Sequence, residues 1–274
     1  MVGLVHDQVI VFWQHPVAGG YVGQQQGVVD HQDLCVPGPP PGPPKTPREA
    51  APVDLTGYWV SVISEDWRWR MVTPLRGDFQ SIPLNEEGKR VGLAWDPAAD
   101  EAAGLQCKSY GAPALMRVPG RVHITWADDE TLEIETDSGE QTRLLHFNAP
   151  PATSEPPSRQ GYSVASWERP VHGRLPPEGI PIFSGTTGQH GRSLEVATTN
   201  LLPGYLRKNG PPYSENVRLQ EYFDYHKEPN GDEWFTVTTL VNDPKYLDGP
   251  FITSSDFKKE PNGKGWDPMP CAAR

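Results

Sequence analysis

The chain has 274 residues, with 35 acidic against 24 basic side chains and a formal net charge of −11. That balance argues against nucleic acid and anionic membrane surfaces as partners, since both need clustered Lys and Arg. The 31 prolines and 27 glycines argue against a helical protein, and no apolar run approaches the ~18 residues of a membrane span.

Residues 1–34 lack a basic start, and their apolar run at 9–13 is too short for the core of a signal peptide. Residues 36–52, VPGPPPGPPKTPREAAP, form a Pro-rich spacer that favours extended polyproline conformations over packing. Residues 1–53 are therefore expected to be a disordered tail or the product of a wrongly assigned start. Residues 54–274 are expected to be one β domain.

The folded part opens at 54–71, DLTGYWVSVISEDWRWRM. Thr56, Tyr58 and Val60 alternate with Gly57, Trp59 and Ser61, which is the period of a half-buried strand. Carried on to Met71, the alternation sets Trp67, Trp69 and Met71 against Asp66, Arg68 and Arg70. Asn85 followed by Glu86 and Glu87 predicts a short helix over 85–95, with one more turn at 98–105. From residue 120 a meander follows, with strands at 121–127, 131–136, 141–147, 161–167, 193–199, 216–226, 233–243 and 251–258. Residues 169–192, rich in Gly and Pro, read as a long excursion. Nearly all connections are short, so pairing is expected to be mostly antiparallel between sequence neighbours. The fold class is all-β, an antiparallel, lipocalin-like barrel or strongly curled sheet with one short helix. A two-sheet sandwich is the alternative.

Cys35, Cys107 and Cys271 show no zinc-type spacing, and neither a metal nor another cofactor is implied. Cys107 and Cys271 either form a disulfide that pins the C-terminal tail or are two idle thiols. Gly-x-Ser-x-Gly, Gly-rich phosphate loops and His-Glu-x-x-His are absent. Their absence removes the commonest serine hydrolase, nucleotide-binding and zinc protease readings.

Strand phase selects the candidate residues. Over 216–226, Val217, Leu219, Glu221, Phe223 and Tyr225 share a face, which makes Glu221 a carboxylate on an apolar surface. It must be paired, neutral or beside a wet pocket; Arg143 is the expected partner, with Trp59 covering the pair. His123 and His146 fall on the polar faces of their strands, so either could join Glu221 as an acid–base pair inside the barrel. Trp67, Trp69 and Arg70 offer flat walls and a charge to a ring-bearing ligand. Trp59, Arg143 and Tyr162, with Tyr205 and Arg207 from the loop at 205–215, complete the expected ligand-facing set.

Several short motifs follow one another along the chain: Leu55-Thr56-Gly57-x-Trp59, Cys107 before Gly111-Ala112-Pro113, Gly161-Tyr162-Ser163 before Trp167-Glu168, and Leu194-Glu195-Val196. Glu221-Tyr222-Phe223, Asp243-Pro244-Lys245-Tyr246 and a terminal Cys271 follow. In this order the domain resembles a large, functionally uncharacterised group of exported bacterial β-proteins. Its Gly57-x-Trp59 is similar to the opening of lipocalin- and avidin-type barrels, where the Trp plugs the floor. The resemblance implies export to the periplasm or beyond and says little about activity. The expected function is a small-molecule-binding barrel that holds a hydrophobic or aromatic ligand. The alternative is a cofactor-independent hydrolase, lyase or isomerase built on Glu221 and a histidine.

Overall fold

A computed structural model of the protein describes residues 3–5, 8–13, 25–29, 45–150, 154–168 and 193–274. The chain divides into two units, Met1–Pro44 and Lys45–Arg274. In the first, β1 (Gly3–Val5), β2 (Gln8–Trp13) and β3 (Gln25–Val29) form an antiparallel sheet in that order. These described residues are strands where the composition suggested disorder. The second unit begins ahead of Asp54: Pro47 O accepts from Trp167 Nε1 at 3.1 Å, and Val53 packs on the core. The excursion at 169–192 lies outside the described residues.

Nine strands of the second unit close into a barrel. In chain order they begin with β4 (Gly57–Val62), β5 (Arg121–Trp126), β6 (Thr131–Thr136), β7 (Gln141–Phe147), β8 (Tyr162–Trp167) and β9 (Ser193–Thr199). A small hairpin of β10 (Gly204–Tyr205) and β11 (Pro212–Tyr213) stands apart, before the long strands β12 (Arg218–Lys227), β13 (Glu233–Asn242) and β14 (Phe251–Glu260). The walls alternate buried and solvent-facing positions, as their β-branched and aromatic residues do in sequence. Eight junctions are antiparallel, but β7 and β8 run parallel, with Leu145 opposite Ser163. The pairing is mostly antiparallel, as expected, and the one exception has a topological reason. Directions cannot alternate around a ring with an odd number of strands, so at least one pair must be parallel. The barrel also has one strand more than up-and-down lipocalin barrels.

Side chains fill the lumen. At the floor, Trp59, Ile124, Leu145, Phe235 and Phe257 belong to one apolar cluster. Trp59 is wholly buried, its Nε1 donates to Leu55 O at 2.9 Å, and Lys259 rather than Arg143 lies over its ring. Gly57 beside it has φ +114, a conformation that side chains rarely adopt. The waist is polar. Arg143 Nη1 and Nη2 donate to Glu221 Oε1 and Oε2 at 3.1 and 2.6 Å, and both side chains are wholly buried. Nη2 also reaches Ser163 Oγ and Thr198 Oγ1, at 3.4 and 3.3 Å. The strand phase read for β12 therefore holds, and so does the expected partner.

The mouth is capped for reasons of connectivity. Val60 pairs with Arg121, so β4 ends where β5 begins, and residues 63–120 must cover that end. Leu219 pairs with Thr198, so residues 200–217, between β9 and β12, emerge at the same end. The cap holds α1 (Trp67–Arg70), α2 (Glu86–Leu93), α3 (Pro97–Ala102) and α4 (Ala112–Leu115). The expected helix is α2, with Asn85 Oδ1 accepting from Gly88 N at 2.8 Å. Gly88 is there for contact, since a Cβ would lie 2.4 Å from Tyr246 O. A Cys107–Cys271 disulfide, 5.1 Å between Cα atoms, ties the tail to the cap across a separation of 164 residues. A loop of that length removes about 5 kcal/mol of unfolded-chain entropy in the chain-entropy model.

Substituting Glu221→Gln keeps the shape of the waist and strands the Arg143 charge. Urea unfolding is expected to show a loss of about 3–5 kcal/mol. An unchanged midpoint would mean that the waist is held by shape and not by charge.

Candidate functional site

The structure does not bring the expected acid–base residues together. Glu221 points into the lumen, whereas His123 faces outward from β5. The His123 ring stacks on Tyr58 with centroids 4.1 Å apart, and its Nδ1 lies 3.0 Å from Glu135 Oε2. His146 stacks on Tyr162 at 5.3 Å, near the floor end of β7. Register places His123 opposite Glu135, Glu135 opposite Thr142, and His146 four residues beyond. At the usual strand spacing the two histidines are on the order of 15 Å apart. The barrel wall separates both from Glu221. Alternation alone allows the polar face of each strand to line the lumen, but apolar side chains claim the lumen of this barrel, so the polar face is the outer one.

The opening strand also ends earlier than its alternation suggests. Residues 67–70 form the single turn α1, entered through Asp66 at φ 51. The conformation is uncommon for a residue with a side chain. It comes with a tertiary bond: Arg117 Nη2 donates to Asp66 Oδ2 at 2.7 Å. The turn leaves Trp67 exposed, half-buries Trp69 and buries Arg70, so the three do not form one aromatic wall. Arg68 and Arg207 lie over the Trp69 ring at 5.2 and 5.6 Å, and its Nε1 is 3.4 Å from Asp78 Oδ2.

Behind this turn lies a cavity of about 240 Å³ between α1, α4, the β6–β7 turn and the β10–β11 loop. Arg70, Arg117 and Arg207 line it, each more than nine-tenths buried. Each guanidinium makes one hydrogen bond among the described residues. Arg70 Nε donates to Arg117 O at 2.9 Å, Arg117 Nη2 bonds Asp66, and Arg207 Nη2 donates to Gln80 O at 2.8 Å. Both terminal nitrogens of Arg70, and Nη1 of Arg117 and of Arg207, have no hydrogen-bond partner among the described residues. Lys208 and Ser109 add further polar groups, and Trp69, Met71 and Leu206 supply apolar wall.

The electrostatics agree with the geometry. Burial first, then repulsion from Arg117, pulls the Arg70 guanidinium down from its ordinary value to about 10. The same two causes in the same order pull Arg207 down to about 10. A base whose folded value is lowered binds its proton more weakly than in the unfolded chain. Both groups therefore cost stability at every pH below about 10, and the cost fades only as they lose their protons. Three buried cations thus border one pocket, where a negative charge would offset their mutual repulsion.

Arg70, Trp69 and Arg207, selected from sequence as ligand-facing, meet here. Trp59 and Arg143 do not reach the pocket, being held in the floor and the waist. Tyr205 also points elsewhere, donating to Asp100 Oδ2 at 2.8 Å; burial first, then that bond, pushes its phenol up. Arg117 was missed, although a signal exists. It interrupts the apolar stretch Ala114-Leu115-Met116-Arg117-Val118, as Glu221 interrupts its own strand face. In comparisons with known proteins, no family model, no curated protein and no solved structure matches this chain.

Arg70→Met removes two unpaired donors and one like charge at the loss of one hydrogen bond. In a chloride buffer its unfolding free energy is expected within about 1 kcal/mol of the parent's, or above it. Arg143→Met strands a carboxylate and should cost about 3–5 kcal/mol in the same measurement.

Proposed function

We propose that the protein binds a small anionic molecule, taking a phosphate, sulfate or carboxylate group into the arginine-lined pocket at the barrel mouth. The observation that carries this reading is the convergence of three buried, incompletely bonded guanidinium groups on one cavity. Arginine's planar fork suits such groups, and each fork is held by an anchoring contact before any ligand arrives. Trp69, Met71 and Leu206 leave room for a small apolar part beside the charge. The volume, about 240 Å³, suits a compact group better than a drug-sized molecule. The expected aromatic ligand inside the barrel has no support, because the lumen is filled by Trp59, Phe223, Phe235 and Phe257. We further propose that the protein works outside the cytosol, a reading supported by the Cys107–Cys271 disulfide, which persists in oxidising compartments.

Thermal unfolding in chloride is compared with unfolding in phosphate, sulfate and small carboxylates at equal ionic strength. At about 100 times its dissociation constant the right anion adds about 2.7 kcal/mol, or roughly 5–10 °C for a domain of this size. Arg207→Met should abolish the increase. Equal melting temperatures in chloride and in every oxyanion tried would sink the proposal.

A further inference from the structure

The strap at 66–76 serves the pocket with its inner side and leaves an apolar surface on its outer side. Trp69, Arg70, Met71 and Thr73 line the cavity. Trp67 is 67% exposed, Met71 59%, Val72 69% and Leu75 75%. These four account for nearly half of the large hydrophobic side chains left exposed among the described residues. Clustered exposure of this kind marks a surface that another phase or molecule covers. Met71 belongs to both sets, so the apolar surface runs into the mouth of the pocket.

Charge is distributed to match. Around the strap and pocket, Arg68, Arg70, Arg76, Arg117, Arg207 and Lys208 outnumber Glu65, Asp66, Asp78 and Asp256. The mouth is thus locally positive on a chain of net charge −11. Diffuse attraction to an anionic surface has the wrong sign for this protein as a whole. A local cationic seat flanked by Trp, Met and Leu has the right one.

We infer that the strap docks on an anionic lipid surface, with a headgroup phosphate in the Arg70–Arg117–Arg207 pocket and Trp67, Met71, Val72 and Leu75 at the headgroup–acyl boundary. The inference rests on reading the pocket as an anion site. The cavity holds a phosphate and leaves acyl chains outside, beside the apolar strap. Tryptophan is favoured at that depth, its ring half in hydrocarbon and its indole N–H at the headgroups. A small soluble anion fills the pocket and leaves the strap bare, whereas a bilayer covers both. Among the described residues no helix is long and apolar enough to cross a membrane, and the attachment inferred is peripheral.

Flotation of the full chain is measured with phosphatidylcholine vesicles, with and without phosphatidylglycerol. The expected result is binding only where the anionic lipid is present. Trp67→Ser combined with Leu75→Ser touches exposed positions and should weaken vesicle binding by roughly tenfold or more, the worth of one buried large apolar side chain. The same variant should keep the phosphate-dependent rise in melting temperature. If the parent protein ignores vesicles while phosphate still stabilises it, the docking inference is wrong and the anion pocket stands. Full vesicle binding by the double variant also overturns it, as does self-association through the strap in place of vesicle binding. Vesicle binding without any phosphate response removes the headgroup from the pocket, and the absence of both responses ends both readings.

Discussion

A bidentate ion pair in the middle of the lumen is the constraint on which this barrel depends. Neither charge would be tolerated there alone, and each fixes the position of the other. The bonds of Arg143 reach β8 through Ser163, β9 through Thr198 and β12 through Glu221. One side chain on β7 thereby links four consecutive strands of the ring. Within that span lies the parallel junction of β7 and β8, where three residue pairs are in register, against ten between β12 and β13. The polar waist braces the seam that backbone pairing secures least.

The lumen is filled by side chains, and the pocket lined by the three arginines lies in the cap. Residues 63–120 contribute Arg70 and Arg117, and residues 200–217 contribute Arg207. They meet because both excursions leave the ring at the same end, which follows from the strand directions around it. The disulfide adds the C-terminal tail to that assembly, so the cap is bonded covalently as well as packed.

Much of the barrel was legible because its rules are local. Alternation placed Leu219, Glu221 and Phe223 on one face, and an unpaired carboxylate among them called for a cation. Arg143 could be named because its strand runs on into Leu144-Leu145-His146-Phe147. The parallel seam was equally within reach, since nine strands and closure together require it. What the sequence hid depends on contacts far along the chain. A stretch such as Asp66-Trp-Arg-Trp-Arg alternates whether it is a strand or a helical turn, and residues this few show no period. The choice goes with Asp66 at positive φ, bonded to an arginine 51 residues away. His123 and His146 misled for a related reason: alternation assigns two faces to a strand but does not say which one is wet.

The two sets of buried arginines show why burial by itself is a poor guide to role. Arg143 and the trio at the mouth all lie among apolar neighbours, and in sequence they look alike. Arg143 meets a carboxylate with both terminal nitrogens, which makes it part of the fold. The trio hydrogen-bonds one carboxylate, that of Asp66, feels Glu65, Asp78 and Asp256 only through space, and lines one shared pocket. The chain has 35 carboxylates, so the shortage is one of placement and not of supply. The fold seats one buried arginine squarely on a carboxylate and gathers three others, with a single carboxylate hydrogen-bonded among them, around a shared pocket. That difference in pairing, more than the barrel, is what the proposed anion site rests on.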